Sequence, residues 1–581
     1  MYRTLVEAVL NHAEESGGKS ALIVKNDVVS YRDLAKRVKN MASILKYQYR
    51  IPAGGRVMIT GLSRPEYIVA FLAVQYLQAI TIPLDKVWME DTVLKLYDFA
   101  RPDLILTDMP FHREGVRAAS LEKLYEESME LRAEEGISGS IPEGIRDDIS
   151  NDIPDDIPGS IPDDIPENNP ENIPDDTPEG IPYLTPDRSH IAEMIFTTGT
   201  TGTPKGAMLT YGNILAITRN NVEGTGFRGT DVLLDPLPLC HSLGLRQVRM
   251  ALYLGATVVL QSGFSLLDDL RENMEKYHCS ACVCVPAMIE HLTRKMNDFP
   301  EVFGRLRLLE IGAGSLSSDM KRRLPQMLPD TQIYNTWGSS ETGGVIFLDV
   351  SHRMDKIKAI GKPVSTARVK IVDMPSGKEI AARDAEHAGR LAIQGDMTMA
   401  GYYKMPDASS AALVDGWLYT NDLAFTDEEG FVYMLGRADD IINVGGEKVS
   451  PLEIENAATE HPKVFDAACI GVEDPVMGQV PALFVAMEDV RGKDNTGNMC
   501  GADQMGDMCG KDNVGNMCGA DQASDMCRIE EVREFLASRL ERYKKPSYII
   551  RVNEIPRNRM QKLDRKAVRK LWEERQLQGD S

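Results

Sequence analysis

Residues 196–206 read Phe-Thr-Thr-Gly-Thr-Thr-Gly-Thr-Pro-Lys-Gly. Three kinds of residue in this run suit a triphosphate or pyrophosphate. Gly199 and Gly202 let the backbone curl, the hydroxyls of Thr197, Thr198, Thr200 and Thr201 can donate to phosphate oxygens, and Lys205 adds a fixed positive charge. This is not the common P-loop, which needs four residues between its glycines and then Gly-Lys-Ser/Thr. Here Pro204 precedes Lys205 and Gly206 follows it. A plain linker has no need of eleven residues of so specific a composition.

The elements around this run read as an α/β pattern. Residues 192–196 form a short apolar stretch before it, and a helix-like segment is expected after it. Residues 67–77 read as helix, and 79–83 and 103–107 as short strands. Residues 281–285 read as strand, and Pro286 suits the first turn of a helix to about residue 295. Strands are expected at 306–311, running into Gly312-Ala313-Gly314, and at 332–335. Helices alternating with short strands point to a largely parallel sheet. From about 360 to 434 the strands shorten and turns multiply, which suggests a small β subdomain. Beyond residue 437 helices at 453–460 and 530–540, strands at 467–472, 482–486 and 548–552, and a charged terminal helix make a separate α+β unit. The expectation is a large domain over residues 1–437 and a small one over 438–581.

Two stretches break the pattern. Residues 138–185 repeat Ile-Pro among acidic residues, the composition of a disordered or extended insert. Residues 492–527 are four copies of a nine-residue unit ending in Cys, and lack the close paired spacing of a zinc site. Tandem duplication in a tolerant surface loop accounts for them.

The 581 residues are 43% apolar and 26% charged, enough for more than one domain. The net charge of −22 comes from 65 basic and 87 acidic residues. Residues 141–180 hold 13 acids and one Arg, so −12 of it sits in the first insert. No comparable basic stretch offsets this, which argues against a nucleic-acid partner. No apolar run is long enough for a bilayer and the N-terminus lacks signal-peptide features, so a cytoplasmic location is expected. Of the nine cysteines, Cys240, Cys279, Cys282, Cys284 and Cys469 lie outside the repeats and read as free thiols.

The 196–206 run resembles the phosphate-binding signature of the adenylate-forming superfamily, and further matches follow in that family's order along nearly the whole chain outside the inserts. Trp337-Gly-Ser-Ser-Glu341 is similar to its aromatic-Gly-x-Thr-Glu motif. The resemblance implies that Trp337 stacks on adenine and Glu341 holds Mg²⁺, with Asn335, Gly338 and Ser340 beside the nucleotide. Trp stands where Tyr is usual and Ser340 where Thr is. Gly312-Ala313-Gly314 is similar to the small-residue wall beside adenine and the acyl group. Asp422, in Tyr419-Thr-Asn-Asp, matches the ribose-binding Asp, with Asn421 in place of Gly. Arg437 matches a ribose-contacting Arg, and Asp439 the hinge of a mobile C-terminal domain. Gly445, Gly446 and Lys448 match the loop lining a thiol tunnel. Pro556-Arg-Asn-Arg-Met-Gln-Lys562-Leu-Asp-Arg565 resembles the segment with the catalytic Lys, with Gln561 replacing Gly. Read alone, that last segment is a solvated basic helix start, since Arg565, Lys566, Arg569 and Lys570 cluster there.

Pro238-Leu-Cys-His241-Ser-Leu-Gly244 resembles the acyl-pocket segment in which a His gates access. No Asp follows Cys240 to hold an α-amine, which favours a fatty or other non-amino acid. The resemblance implies ATP-dependent formation of acyl-AMP with release of pyrophosphate, then transfer to the thiol of CoA. ATP, Mg²⁺ and CoA are the implied cofactors, and Lys562, Glu341, Lys205 and His241 the implied catalytic set. Loading of an acyl-carrier protein and an inactive adenylate-binding scaffold are the alternatives.

Overall fold

The structure is a computed structural model that describes residues 2–85, 88, 90–130, 181–197, 204–263, 266–374, 376–487, 520–558 and 562–577. Two sheets carry the large domain. The first has nine strands in the order Lys362–Pro363, Gly343–Asp349, Gln332–Ser339, Leu308–Gly312, Ala281–Cys284, Val232–Asp235, Thr257–Leu260, Ser20–Val24 and Asp27–Ser30. Its inner six run parallel and its edges antiparallel. The second has seven, ordered Gly401–Tyr402, Lys205–Thr210, Ile191–Thr197, Ile80–Asp85, Arg56–Gly61, Leu104–Leu106 and Ala118–Ala119. Five antiparallel strands form the β subdomain, with Trp417–Thr426 at its centre. Another five-stranded sheet, built on Val464–Asp474 and Gly478–Met487, forms the C-terminal unit.

The helix Ser242–Tyr253 joins the two large sheets. Every residue from Leu243 to Tyr253 is buried, including Arg246, Gln247 and Arg249. A helix buried all round cannot leave two guanidinium groups unpaired. Arg246 donates to Glu310 of the nine-stranded sheet at 2.5 Å, and Gln247 donates to the other Glu310 oxygen at 2.7 Å. Arg249 reaches the seven-stranded sheet and donates to both oxygens of Glu193 at 2.9 and 3.1 Å. Gln75 also donates to Glu193, at 3.2 Å. Glu310 lies two residues before Gly312 and Glu193 four before Thr197, so each pair fixes a strand that ends at the candidate site.

Several expected boundaries move for physical reasons. The segment after the Gly/Thr run is the strand Lys205–Thr210, antiparallel to Ile191–Thr197, and the helix begins only at Tyr211. Thr210 caps that helix, exchanging hydrogen bonds with Asn213. The strand expected at 332–335 continues to Ser339 because Gly343–Asp349 pairs alongside it. The helix expected at 530–540 spans Ala520–Ala537. Most of both inserts lies outside the described residues. At the end of the first, the Tyr183 hydroxyl is 2.5 Å from that of Thr4, and Tyr76 donates to the Ile181 carbonyl at 2.5 Å. Cys279, Cys282, Cys284 and Cys469 are buried free thiols and Cys240 is half-buried.

Replacing Glu193 by Ala leaves Arg249 charged and buried without its carboxylate. Urea titration of Glu193→Ala should show a loss of about 3–5 kcal/mol, whereas exchanging both Glu193 and Arg249 for Met should cost far less. Equal losses would mean that packing, not the ion pair, holds this junction.

Candidate active site

The turn that carries Glu341 is built on a close backbone approach. At Gly338 a Cβ would lie 2.0 Å from the Gly343 carbonyl oxygen, and the register shifts between Trp337 and Gly338. Ser339 Oγ accepts from the Glu341 N–H at 3.2 Å, and the Glu341 carbonyl accepts from Met399 N at 2.8 Å. At Gly344 a Cβ would sit 1.9 Å from Arg246 Nη1, so this strand also leaves room for the buried guanidinium. Trp337 is half-buried against the core shared with the β subdomain. Asn335 is buried and donates to the Ile311 carbonyl at 3.0 Å, which ties this strand to the one ending in Gly312. Ala313 takes a left-handed φ of 65°, so the chain turns sharply there. Gly312 backs onto Leu243 and Gly314 onto Pro286, each at 3.4 Å from an added Cβ. Ser340 is half-buried in the turn.

Tyr402 links Glu341 to Lys205. Its hydroxyl donates to the Glu341 carboxylate at 3.0 Å, and Lys205 Nζ lies 5.2 Å from its ring centroid. Burial first, then the Glu341 charge, pushes the Tyr402 hydroxyl well above its usual pKa, so it stays a donor. Gly401–Tyr402 pairs with Met208 and Ala207 on the strand that Lys205 begins. Lys205 is therefore placed by register, opposite Thr197. The expected contacts of Thr198, Gly199, Thr200, Thr201 and Gly202 lie outside the described residues, as does the side chain of Thr197.

Asp422 and Arg437 are cross-strand partners in the β subdomain. The Asp422 pKa is pushed up to about 6 by desolvation, with Arg437 pulling down, Glu341 pushing up and Lys562 pulling down. Lys562 reports the same cluster from its own side. Its pKa is pushed down by desolvation first, with Glu341 and Asp422 opposing and Arg437 assisting. The Lys562 residue keeps exposed surface, so its shift is screened by water. Glu341 from the nine-stranded sheet, Asp422 and Arg437 from the β subdomain and Lys562 from the C-terminal unit thus share one electrostatic site.

A closed hairpin presents Lys562. Asn558 Oδ1 accepts from Lys562 N at 3.0 Å, Asn558 N donates to the Lys562 carbonyl at 2.8 Å, and Asp564 N donates to the Pro556 carbonyl at 3.0 Å. Arg565 pins its end. That guanidinium donates to Glu455 at 2.5 and 3.1 Å, to Asp440 at 3.2 Å and to the Cys469 carbonyl at 2.7 Å. Arg565 is therefore an anchor, not the solvated helix start that its basic neighbours suggest. Lys566 and Lys570 are exposed, and Lys570 lies 3.7 Å from Glu574.

Asp439 accepts from Asn421 Nδ2 at 2.6 Å, so the residue standing where Gly is usual ties the expected hinge to the β subdomain. Gly445 and Gly446 have left-handed φ values of 60° and 100° in an exposed turn, and Gly446 N donates to Asn443 Oδ1 at 3.1 Å. Lys448 is exposed and acts on Asp373 of the β subdomain. His241 immediately precedes the buried Ser242–Tyr253 helix without a side-chain capping bond, its Nε2 3.7 Å from Asp85 Oδ2. Asp85, Cys240 and His241 place their polar atoms within 4.8 Å of one another. Burial pushes the Cys240 thiol up, and Asp85 adds to that. The Tyr67 hydroxyl is within electrostatic reach of Cys240 and Asp85 and has no hydrogen-bond partner among the described residues.

The sequence profile of the AMP-binding enzymes matches residues 9–403, and that of the AMP-binding enzyme C-terminal domain matches residues 453–507. The chain belongs to the AMP-binding enzyme family. Its class is that of the AMP-forming acid–thiol ligases. A 2-succinylbenzoate–CoA ligase of Bacillus velezensis is 27% identical over 575 residues, 97% of each chain. ATP-bound MatB from Rhodopseudomonas palustris superposes with a TM-score of 0.76 at 21% identity, over 98% of this chain and 99% of that one. O-succinylbenzoate coenzyme A synthetase from Bacillus subtilis, in complex with ATP and magnesium ion, gives 0.72 at 22% identity, over 97% and 99%.

The donor set suits the ion that this family implies. Glu341 offers one carboxylate, with the hydroxyls of Ser339 and Thr342 beside it, hard oxygen ligands of the kind Mg²⁺ takes with substrate phosphates. Glu341 would hold Mg²⁺, whose charge would offset that of the phosphates. Tyr402 and Asp440 belong to the site's framework, yet no local signal marks them, and the partners of the motif residue Arg565 are equally remote in sequence. Tyr402 and Glu341 are 61 residues apart, and Arg565 and Asp440 are 125.

The raised Asp422 pKa sets a pH dependence. Its folded value of about 6 exceeds the ordinary 3.8, so the ionised form present at neutral pH is lost as pH falls through 6. An ionised carboxylate only accepts hydrogen bonds. Calorimetric affinity for ATP in wild type, relative to Asp422→Asn, should fall between pH 7 and pH 5, the comparison cancelling the nucleotide's own titration. A constant ratio would contradict titration of Asp422 in this range, and a ratio of one throughout would remove Asp422 from nucleotide binding.

Proposed function

We propose that this enzyme activates a non-amino carboxylic acid as its acyl-adenylate and passes the acyl group to the thiol of CoA. The observation that carries this reading is the convergence of Lys205, Glu341, Asp422, Arg437 and Lys562, from three parts of the fold, on one cleft. In the first step a carboxylate oxygen bonds to the α-phosphorus of ATP and the bond to pyrophosphate breaks. Lys562 lies between the two anions and offsets their charge, and Lys205 does so at the leaving phosphates. Preorganised charge of this kind is usually the largest catalytic contribution. Asp422 and Arg437 hold the ribose and Trp337 covers the base. In the second step the thiol sulfur bonds to the acyl carbon, the bond to AMP breaks, and the thiol proton leaves to solvent. Gly445 and Gly446, with no side chains, give the narrow arm of CoA a path, and Lys448 lies beside it.

The acid is one with a polar group remote from the reacting carboxylate. Asp85, Cys240 and His241 cluster in the segment assigned to the acyl group, beside the buried Tyr67 hydroxyl, and such polar groups suit a substituent that can hydrogen-bond better than a plain hydrocarbon chain. This favours an acid such as 2-succinylbenzoate, named in the relatives, over an unsubstituted fatty acid. No helix among the described residues is long and apolar enough to cross a membrane.

ATP–pyrophosphate exchange without thiol, across 2-succinylbenzoate, other aromatic acids, fatty acids and amino acids, tests both parts. Exchange with the first group is expected. Exchange with amino acids alone would overturn the substrate class, and exchange with none, while ATP binds, would favour an inactive scaffold. Adding CoA or a carrier protein to the adenylate then separates the acceptors. Lys562→Ala should reduce exchange at least about 100-fold while sparing thiol transfer from supplied acyl-adenylate. Equal loss in both steps would contradict its role.

A further inference from the structure

The C-terminal unit touches the large domain at a second junction, made by groups the chemistry does not use. Arg294, near the end of the helix Pro286–Lys295, places its guanidinium 4.1 Å from the centroid of the Phe465 ring. Arg322, on the helix Ser318–Met327, donates to Glu460 at 2.9 Å. Arg539 lies 3.4 Å from the other Glu460 oxygen, which holds that carboxylate from its own domain. Glu290, one turn before Arg294, faces Arg294, Arg323, Asp319 and Asp466, and desolvation pushes its carboxyl up. The junction therefore shuts out some water and mixes both signs of charge.

The junction leads directly to the lysine hairpin. Asp466 follows Phe465 in the strand Val464–Asp474, and its carboxylate accepts from Arg557 at 2.8, 2.9 and 3.1 Å. Arg557 sits at the head of the hairpin that ends in Lys562, bridged to Leu563. Docking and presentation thus share two adjacent residues. Phe465, Asp466, Arg557 and the hairpin form one continuous path of contacts. On the opposite end of the large-domain helix, Pro286 abuts Gly314 of the candidate adenine wall, so the same helix gauges the nucleotide site and the docked domain.

We propose that Arg294 and Arg322 are positioning residues that dock the C-terminal unit, through Phe465 and Glu460, in the orientation that presents Lys562 to Asp422 and Glu341. The proposal rests on the two-step reading above, since the docked orientation serves adenylation, and thiol transfer needs the exposed Gly445–Gly446 turn instead. Both contacts are partly exposed, Arg322 and Glu460 having side chains 37% and 28% accessible, so each is modest. A junction of this strength can release within a catalytic cycle.

The test compares half-reactions in the full-length enzyme. In the double variant Arg294→Ala with Arg322→Ala, ATP–pyrophosphate exchange should fall about tenfold, the scale of a cation–aromatic contact and an ion pair lost together. Thiol transfer from supplied acyl-adenylate should stay unchanged or rise. Arg294→Lys, which keeps the cation over the ring, should recover much of the exchange. A cycle of Arg294→Ala with Phe465→Leu should be non-additive in exchange. Unchanged exchange, equal loss in both half-reactions or an additive cycle would overturn the proposal. Wild-type exchange is measured alongside, so its absence would count against the two-step reading and not against the junction.

Discussion

The structure depends on two arginines buried in one helix. Ser242–Tyr253 has no solvent-facing side, so Arg246 and Arg249 must find carboxylates inside the protein, and they find them on different sheets. Desolvating four charges is costly, and only good geometry with further hydrogen bonds offsets it. Gln247 and Gln75 supply those bonds. The result fixes the spacing of Glu193 and Glu310, and so the separation between the strand leading to the Gly/Thr run and the strand leading to Gly312. The same helix begins at His241 and leaves Arg246 against Gly344 beyond the Glu341 turn. The Gly/Thr run, the Gly312 turn and the His241 segment are therefore all referred to one buried helix.

Charge balance in the cleft follows from that frame. Burial, and after it the neighbouring Glu341 carboxylate, raise the Asp422 pKa, and three cations come from separate places. Lys205 is set by strand register, Arg437 by pairing with Asp422, and Lys562 by the hairpin that Arg565 anchors. Lys562 alone among these arrives from the C-terminal unit, which the proposed two-step reaction requires to move. An enzyme that must stabilise a phosphoryl transfer first and admit a thiol later has reason to place one removable charge on a mobile unit.

Local signals in the sequence were sufficient for much of the fold. Pro286 at a helix start predicts the helix Pro286–Lys295, and the apolar run at 548–552 is the strand Tyr548–Val552. What escaped local reading depends on partners distant in sequence. Lys205–Thr210 is too short to show a period, and becomes a strand because two neighbours accept it. Arg565 looks like one of four solvated cations until Glu455 and Asp440 are brought beside it. Tyr402 carries no chemical signature, and acquires a role only when folding places it between Lys205 and Glu341. The Gly/Thr run and Glu341 could be proposed from the sequence because phosphate and metal chemistry restricts residue type. The framework residues were not, since many side chains can brace a lysine and only the fold selects one.

On the proposed reaction, the site joins a carboxylate oxygen of the acid to the α-phosphorus of ATP. The most direct measurement follows isotope from the acid to the nucleotide. With 2-succinylbenzoate labelled with ¹⁸O in its carboxyl groups, together with ATP, Mg²⁺ and CoA, the released AMP should carry a single labelled oxygen on its phosphate, and the pyrophosphate none. Label in phosphate or pyrophosphate with unlabelled AMP would place the attack elsewhere on the triphosphate and contradict the account.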